Sequence, residues 1–473
     1  MSMVQETAAP VPAAAPTRAY RLYVLVLLTA VYTFNFIDRQ IIGILSPYIK
    51  ADLSLADWQL GLLKGFAFAV LYTTLGIPIA RLADRYNRVT IISIALALWS
   101  GFTAISGAAM NFMHLLIARI GVGVGEAGGS PPSHSLISDY YPKENRAGAL
   151  AFFAMGIPVG ITLAYLGGGW ITETLSWRWA FLAVGAPGLL LALLLKLTVR
   201  EPKRGATEAP GRADAFSAME AGEPRGAVEK GFLAFSKIMP ARARAATFRE
   251  LATLWRAARH LLSIPTYRLA VVAVTAISFG AYAVGTWIVD FFARSHPGYS
   301  MMSVLFWLGV INGTAYAAGT FLGGAMVDRL ARRNKAAYGL VPCVALLLHG
   351  PFFIGAMWVP DPVWSLILWA PAHLLIGFYL GPSFALAQTL APVSIRALST
   401  AIFFFILNMI ALGLGPTFVG VFSSILIPAL GEELALRVAL TSVIVSGLIG
   451  AGAFYLMSRK VHADWAKATG EAP

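Results

Sequence analysis

One cysteine, Cys343, stands among 473 residues, so the chain can form no disulfide within itself and its redox compartment is left open. Charge is scarce: Asp, Glu, Lys and Arg make up 12% of the residues against 58% hydrophobic ones, and mean hydropathy is +0.70. That balance excludes an ordinary soluble globule, in which about a quarter of the residues are charged. Alternating strand-like segments are missing, which excludes an outer-membrane barrel. The first twenty residues carry no small-residue cleavage site after a short apolar core, so the first apolar run reads as an uncleaved signal anchor. The spans also lack metal-ligand spacing and any nucleophile-base pattern, Ser133 beside His134 being mere adjacency. Neither a membrane-embedded enzyme nor a resident metal or other cofactor is expected.

What the chain has instead is long apolar runs. Twelve can cross about 30 Å of hydrocarbon as helices: 22–46, 58–80, 89–108, 112–138, 147–172, 178–198, 268–292, 301–327, 337–358, 363–388, 397–422 and 435–457. The fold class is therefore an all-α integral membrane protein. Its plan is an N-terminal tail (1–21), a six-helix half (22–198), a linker (199–267), a second six-helix half (268–457) and a C-terminal tail (458–473).

Basic residues orient it. Lys50, Arg178, Arg294 and Arg437 fall on one side and Arg39, Lys64, Arg119 and Lys196 within the spans, while all the rest of the 36 share the side of both termini. Positive flanks stay in the cytoplasm, so both termini are expected there, in a multi-pass protein of the cell membrane, the inner one if bacterial. The same placement accounts for the net charge of +13 and a pI near 9.9, and no nucleic-acid partner is needed to explain them. Within the linker, Thr247 and Glu250 form a capping-box signal ahead of an amphipathic helix over about 247–264, read as lying on the membrane surface. It serves either as a plain connector or as a regulatory element.

The two halves repeat. ARLADRYNR after the second span, with Asp84, Arg85 and Arg88, returns 244 residues later as GAMVDRLARR, with Asp328, Arg329, Arg332 and Arg333; Tyr141-Pro142 and Arg146 return 250 residues later as Ala391-Pro392 and Arg396.

The sharpest feature is FNFIDRQIIG, residues 34–43, which sets Asp38 and Arg39 inside the first span. In the fourth span, Gly121, Gly125 and Gly129 make a smooth strip for helix packing, while Arg119 and Glu126 lie two turns apart on nearly one face, about 10 Å. Counting along antiparallel spans places Asp38 and Arg39 at depths between Arg119 and Glu126. A charge at the bilayer centre costs about 2.5 to 3.5 kcal/mol, so the four must pair or face water. They are either static bridges between two helices or a proton-coupling site, with Glu126 poised between burial and the field of Arg39 or Arg119, and Asp38 as a second protonatable partner. At the repeat offsets these positions hold Tyr282, Trp369 and Ile376, which assigns proton chemistry to the N-terminal half. Asn35, Ser130, His134, Tyr282, Thr286, Asn312, Tyr379 and Asn408 are the candidates for lining a substrate cavity. Ser130 and His134 also form a possible proton exit, against the plainer reading of His134 as a buried, hydrogen-bonded side chain.

The acidic-basic loop in both copies resembles the signature loop of the major facilitator superfamily. FNFIDR, RIGVGVGEAG, IPVGITLAYLGGG and WRWAF are most similar to its Spinster branch. Ala80 and Asn87 replace glycines common in the first loop, and Asn tolerates a left-handed turn. The resemblance implies two pseudo-symmetric six-helix halves rocking in alternating access, powered by a proton gradient without a cofactor. It implies a cytoplasmic gate of Asp84, Arg85, Arg88, Asp328, Arg329, Arg332 and Arg333. It also implies a small amphipathic substrate of lysophospholipid or sphingoid type, carried by a monomer whose partners are protons and the bilayer. A broad-range drug or small-molecule exporter is the alternative, and a non-transporting receptor or scaffold the remote one.

Overall fold

A computed structural model of the protein describes residues 17–204, 255–391 and 396–469, and among them regular structure is helical throughout. The expected capping box at Thr247 and Glu250 lies outside the described residues, as do residues 1–16, the rest of 205–254, 392–395 with the repeat's Pro392, and 470–473. The N-terminal half comprises α1 (Arg18–Leu53), α2 (Asp57–Lys64), α3 (Phe66–Arg85), α4 (Arg88–Ser106), α5 (Phe112–Glu126), α6 (Ser130–Tyr140), α7 (Lys143–Ala154), α8 (Gly156–Thr174) and α9 (Trp177–Thr198). A short α10 (residues 255–263) leads into the C-terminal half. That half comprises α11 (Pro265–Ser295), α12 (Met301–Ile311), α13 (Ala317–Ala331), α14 (Ala337–Trp358), α15 (Pro362–Ile376), α16 (Leu380–Leu390), α17 (Arg396–Leu407), α18 (Gly413–Ser442), α19 (Ile444–Ser458) and finally α20 (Val461–Thr469).

Nine helical stretches among the described residues are long and apolar enough to cross a membrane, and one of them, Leu398–Ser458, runs over two expected spans. Gly431, at φ 75, bends α18 between those two. The expected second and fourth spans are each divided. Gly65 parts α2 from α3, and Ala127 to Gly129 part α5 from α6. The second break has a local cause: Pro131 and Pro132 have no backbone N–H to offer the carbonyls of Ala127 and Gly128. The chain tightens instead, with Gly128 N donating to Gly125 O at 3.1 Å and Gly129 N to Glu126 O at 3.0 Å.

One of these interruptions repeats. Moved on by 250 residues, Ala127 to Gly129 become the tight turn Gly377–Tyr379. The two halves thus share an irregularity as well as helices, as duplicated units do.

Packing divides the molecule by depth. At the end opposite the described chain termini, called here the far end, one apolar core draws on both halves, including Ile44 and Leu60 with Trp287, Phe291 and Val419. Towards the terminal end the core separates into one cluster in the N-terminal half, which Leu412 and Tyr282 of the other half meet, and two in the C-terminal half. The halves therefore form a V, closed at the far end and open at the end of the basic loops. Asn87 differs from its expected left-handed turn: at φ −63 its side chain caps α4 by accepting from Thr90 N.

The flanking segments dock on the C-terminal half. Helix α10 buries Ala257 and Leu261 against it, and Trp255 stays exposed. The C-terminal tail includes α20, docked with Val461 buried; its Asp464 accepts from Thr266 N at 2.9 Å, capping α11, and the Trp465 ring lies tilted against that of Tyr338.

The glycine strip of α5 packs against α4, as its spacing implied: a Cβ on Gly125 would lie 2.6 Å from Trp99 N. Gly125→Val is accordingly expected to cost about 1 to 3 kcal/mol by overpacking, read as a lowered midpoint in detergent thermal unfolding. An unchanged midpoint would show that α4 and α5 are not in tight contact.

Candidate functional site

The four charges of the first and fourth spans meet at the apex of the open V. Asp38 and Arg39 are neighbours on α1 and so point about 100° apart, one towards α4 and α5, the other towards α3. Arg39 Nε donates to Glu126 Oε2 at 2.7 Å, while Arg119 Nη1 donates to Asp38 Oδ1 at 3.3 Å. Thr103 on α4 donates to the second oxygen of Asp38. The pairing is crosswise, each helix giving one acid and one base, and the charges balance within the site.

Aromatic rings hold the cations. The Arg39 guanidinium lies 4.4 Å from the Tyr72 ring centroid and 5.2 Å from those of Phe36 and Phe68, and Arg119 lies 5.4 Å from that of Phe68. Phe68 thus offers its ring to two cations. Burial ranks the four groups: Glu126, Asp38 and Arg119 are closed off, whereas the Arg39 side chain is 13% exposed. Arg39 is therefore the member nearest to water. Glu126 keeps one oxygen, Oε1, without a partner, as does the buried Asn35 side-chain oxygen.

Helix α5 ends at Glu126, so the break after it ends the helix at the carboxylate. Just beyond, Tyr32, Asn35, Trp99, Ser130, Ser133 and Phe153 line a cavity. Ser130 opens α6 and lines this cavity, on the other side of the helix break from Glu126. His134 is exposed, not buried; its Nδ1 meets Ser130 O at 2.9 Å and its ring stands edge-on to Phe153.

The C-terminal candidates separate into two groups. Tyr282 is half-buried between the two core clusters, and Asn312 and Asn408 each open a π turn, Asn312–Tyr316 and Asn408–Leu412, a wide coil that often marks functional positions. Thr286 and Tyr379, by contrast, are not free ligands here. Thr286 donates to the carbonyls of Tyr282 and Ala283 in its own helix, and the Tyr379 hydroxyl pairs with Ser278 Oγ at 3.0 Å.

Of the gate residues, the side chains of Asp84 and Arg85 lie outside the described residues. Arg88 is buried and bound within its own half, to Asp139 at 2.5 Å and Glu201 at 2.6 Å. Asp328, Arg329, Arg332 and Arg333 are exposed and form no ion pair among the described residues, as the open V requires. Sequence reasoning placed Lys64 within a span without giving it a role, and it passed over Asp290, another charge inside a span. The cost argument that singled out Asp38 applies equally to them.

The sequence model described as Major Facilitator Superfamily matches residues 28–416. An MFS-type efflux pump of Mycolicibacterium smegmatis is 29% identical over 438 residues, covering 93% of this chain and 92% of that protein. Protein spinster homolog 1 of Homo sapiens is 29% identical over 347 residues, covering 70% of this chain and 58% of that protein's length. A solved bacterial homologue of the human lysosomal transporter Spinster, inward-facing and unoccupied, superposes with a TM-score of 0.79 at 30% identity, covering 95% of this chain and 99% of that one.

Breaking a buried pair leaves an uncompensated charge, at about 3 to 5 kcal/mol, whereas replacing both partners by apolar groups is often neutral. Arg119→Leu is thus expected to lower the thermal unfolding midpoint clearly, and Asp38→Leu added to it to restore most of the loss. A double variant as unstable as the single one would mean that the pair is there for stability.

Proposed function

This chain belongs to the major facilitator superfamily, as a Spinster-like member that transports by alternating access and is no enzyme, and we propose that it couples movement of a lipid-like amphipathic substrate, lysophospholipid or sphingoid in type, to protons. The observation that carries the coupling is Glu126: a wholly buried carboxylate with one oxygen on Arg39 and the other unpartnered, at the apex of a V open to one side.

Proton arrival at Glu126 removes the negative charge that holds Arg39. Arg39, partly exposed already, then takes the anionic part of the substrate as its partner, while Phe36, Phe68 and Tyr72 receive apolar or cationic parts. Asp38, clamped by Arg119 and Thr103, is the second protonatable group. Ser130 and the exposed His134 carry the proton out. Asn35, Tyr282, Asn312 and Asn408 shape the cavity, and Thr286 and Tyr379 join them only if the opposite state frees their hydroxyls. When the V closes, Asp84, Arg85 and Arg88 meet Asp328, Arg329, Arg332 and Arg333 as the gate. In this reading the protein is a monomer without a cofactor in the cell membrane, and its basic end faces the cytoplasm, so the open V faces inward. The printed name of the Mycolicibacterium relative favours a second reading, export of drugs or other small molecules.

Proteoliposomes separate these readings. An imposed pH gradient is expected to drive a fluorescent lysophospholipid in the wild type, and Glu126→Gln to abolish gradient-driven net flux while retaining lysophospholipid counterflow. Flux indifferent to the gradient in both proteins would remove the coupling, and movement of cationic dyes without lysophospholipid would favour the exporter.

A further inference from the structure

At the far end α11 stops at Ser295, and His296 begins the turn into α12 between two spans. Backbone bonds pin this corner: His296 N donates to Phe292 O at 2.9 Å, and Tyr299 N donates to His296 O at 3.0 Å. The imidazole is folded inward and only 7% exposed, edge-on to Phe291 at 5.9 Å between ring centroids and tilted against Phe292 at 5.7 Å. Both phenyl rings belong to the apolar core that the two halves share. His296 thus plugs the rim of that core.

The surroundings suit an uncharged plug. His296 Nε2 is buried without a partner among the described residues. Arg437 of α18 approaches the same Phe291 ring, its guanidinium 5.9 Å from the centroid, so a charged imidazole would face a like charge. Two acids face the histidine from exposed positions: Glu433 of α18, 54% accessible and 2.9 Å from Arg437, and Asp361, which caps α15 by accepting from Val363 N and Trp364 N. Arg294, on the histidine's own helix, is engaged by Asp57 at 2.7 Å. Burial first, and then the Arg437 charge, hold the imidazole below the usual histidine range, while Glu433 and Asp361 pull the other way.

We propose that His296 is a pH-sensitive plug on the far-end face: uncharged it seals the rim of the shared core, and protonated by acid on that side it swings out towards Glu433 and Asp361, uncovers Phe291 and Phe292 and loosens the far-end closure. An imidazolium has two N–H donors to satisfy, and the buried position gives Nε2 no acceptor. Outside, water supplies acceptors and two acids offset the charge. The plugged form binds its proton less readily than the released one. Its stability is therefore full above the ordinary histidine range, about pH 6.5, and is lost as pH falls below it. Acid at the far side then favours the state open to that side. The plug acts without Glu126 and without substrate.

The test uses the full chain in nanodiscs with Cys343→Ala and spin labels on Met110→Cys and Val363→Cys, exposed far-end positions on opposite halves. Glu126→Gln is present throughout, so that the coupling carboxylate contributes no pH response. With His296 in place, the long-distance, far-end-open population is expected to rise severalfold on acidification through the histidine range. His296→Phe keeps a ring on the core without a titrating nitrogen and is expected to lose that rise. Arg437→Gln removes the facing charge and is expected to move the midpoint of the rise to higher pH, which a merely structural histidine would not do. No pH response with His296 present, or an equal response in His296→Phe, would overturn the proposal. Should His296→Phe fail to fold, the Arg437→Gln midpoint decides, and an unmoved midpoint counts against the plug.

Discussion

A charge taken out of water must find a counter-charge, and this structure is arranged around that requirement. Its apolar spans contain acids and bases that the bilayer would not accept singly. Each described acid at depth is matched by a base on another helix: Glu126 by Arg39, Asp38 by Arg119 and Asp290 by Lys64. Pairing alone does not explain their presence, since apolar substitutes pack as stably. What separates the pairs is their place. The first two join helices within one half, so rocking the halves leaves them together, and only a change of protonation or of ligand can part them. The third joins the two halves, so rocking itself parts it.

The breaks in the helices serve this arrangement. Two prolines and three successive small residues end α5 at Glu126, and their repeat-mates form the tight turn Gly377–Tyr379. A helix that stopped elsewhere would still span the membrane, but it would not end at that carboxylate. The glycines within α5 do the opposite work, bringing the α4 backbone close to α5, and Thr103 of α4 reaches Asp38. Close packing and interruption on neighbouring stretches of one chain together define the position of the site.

Depth separates the functions. One core shared by both halves at the far end gives way to separate clusters in each half at the terminal end, so the same helices are a closed wall at one level and a cleft at another. The basic loops at the open end stand apart. Arg88 turns back on Asp139 and Glu201 of its own half, while the arginines of the second copy face solvent.

Much was legible beforehand. Hydrophobic run lengths determined an all-helical membrane protein, because a backbone in hydrocarbon has to satisfy its own hydrogen bonds. The loop copies determined the duplication, and charge cost with counted depth brought Asp38, Arg39, Arg119 and Glu126 to one level. These follow from composition and local spacing. Which acid takes which arginine, that His134 lies exposed, that Thr286 and Tyr379 spend their hydroxyls locally, and that Lys64 meets Asp290 across the halves were decided by tertiary structure alone. Each depends on how far two helices have rotated and approached, and residues 226 positions apart, as Lys64 and Asp290 are, carry no local pattern that records it.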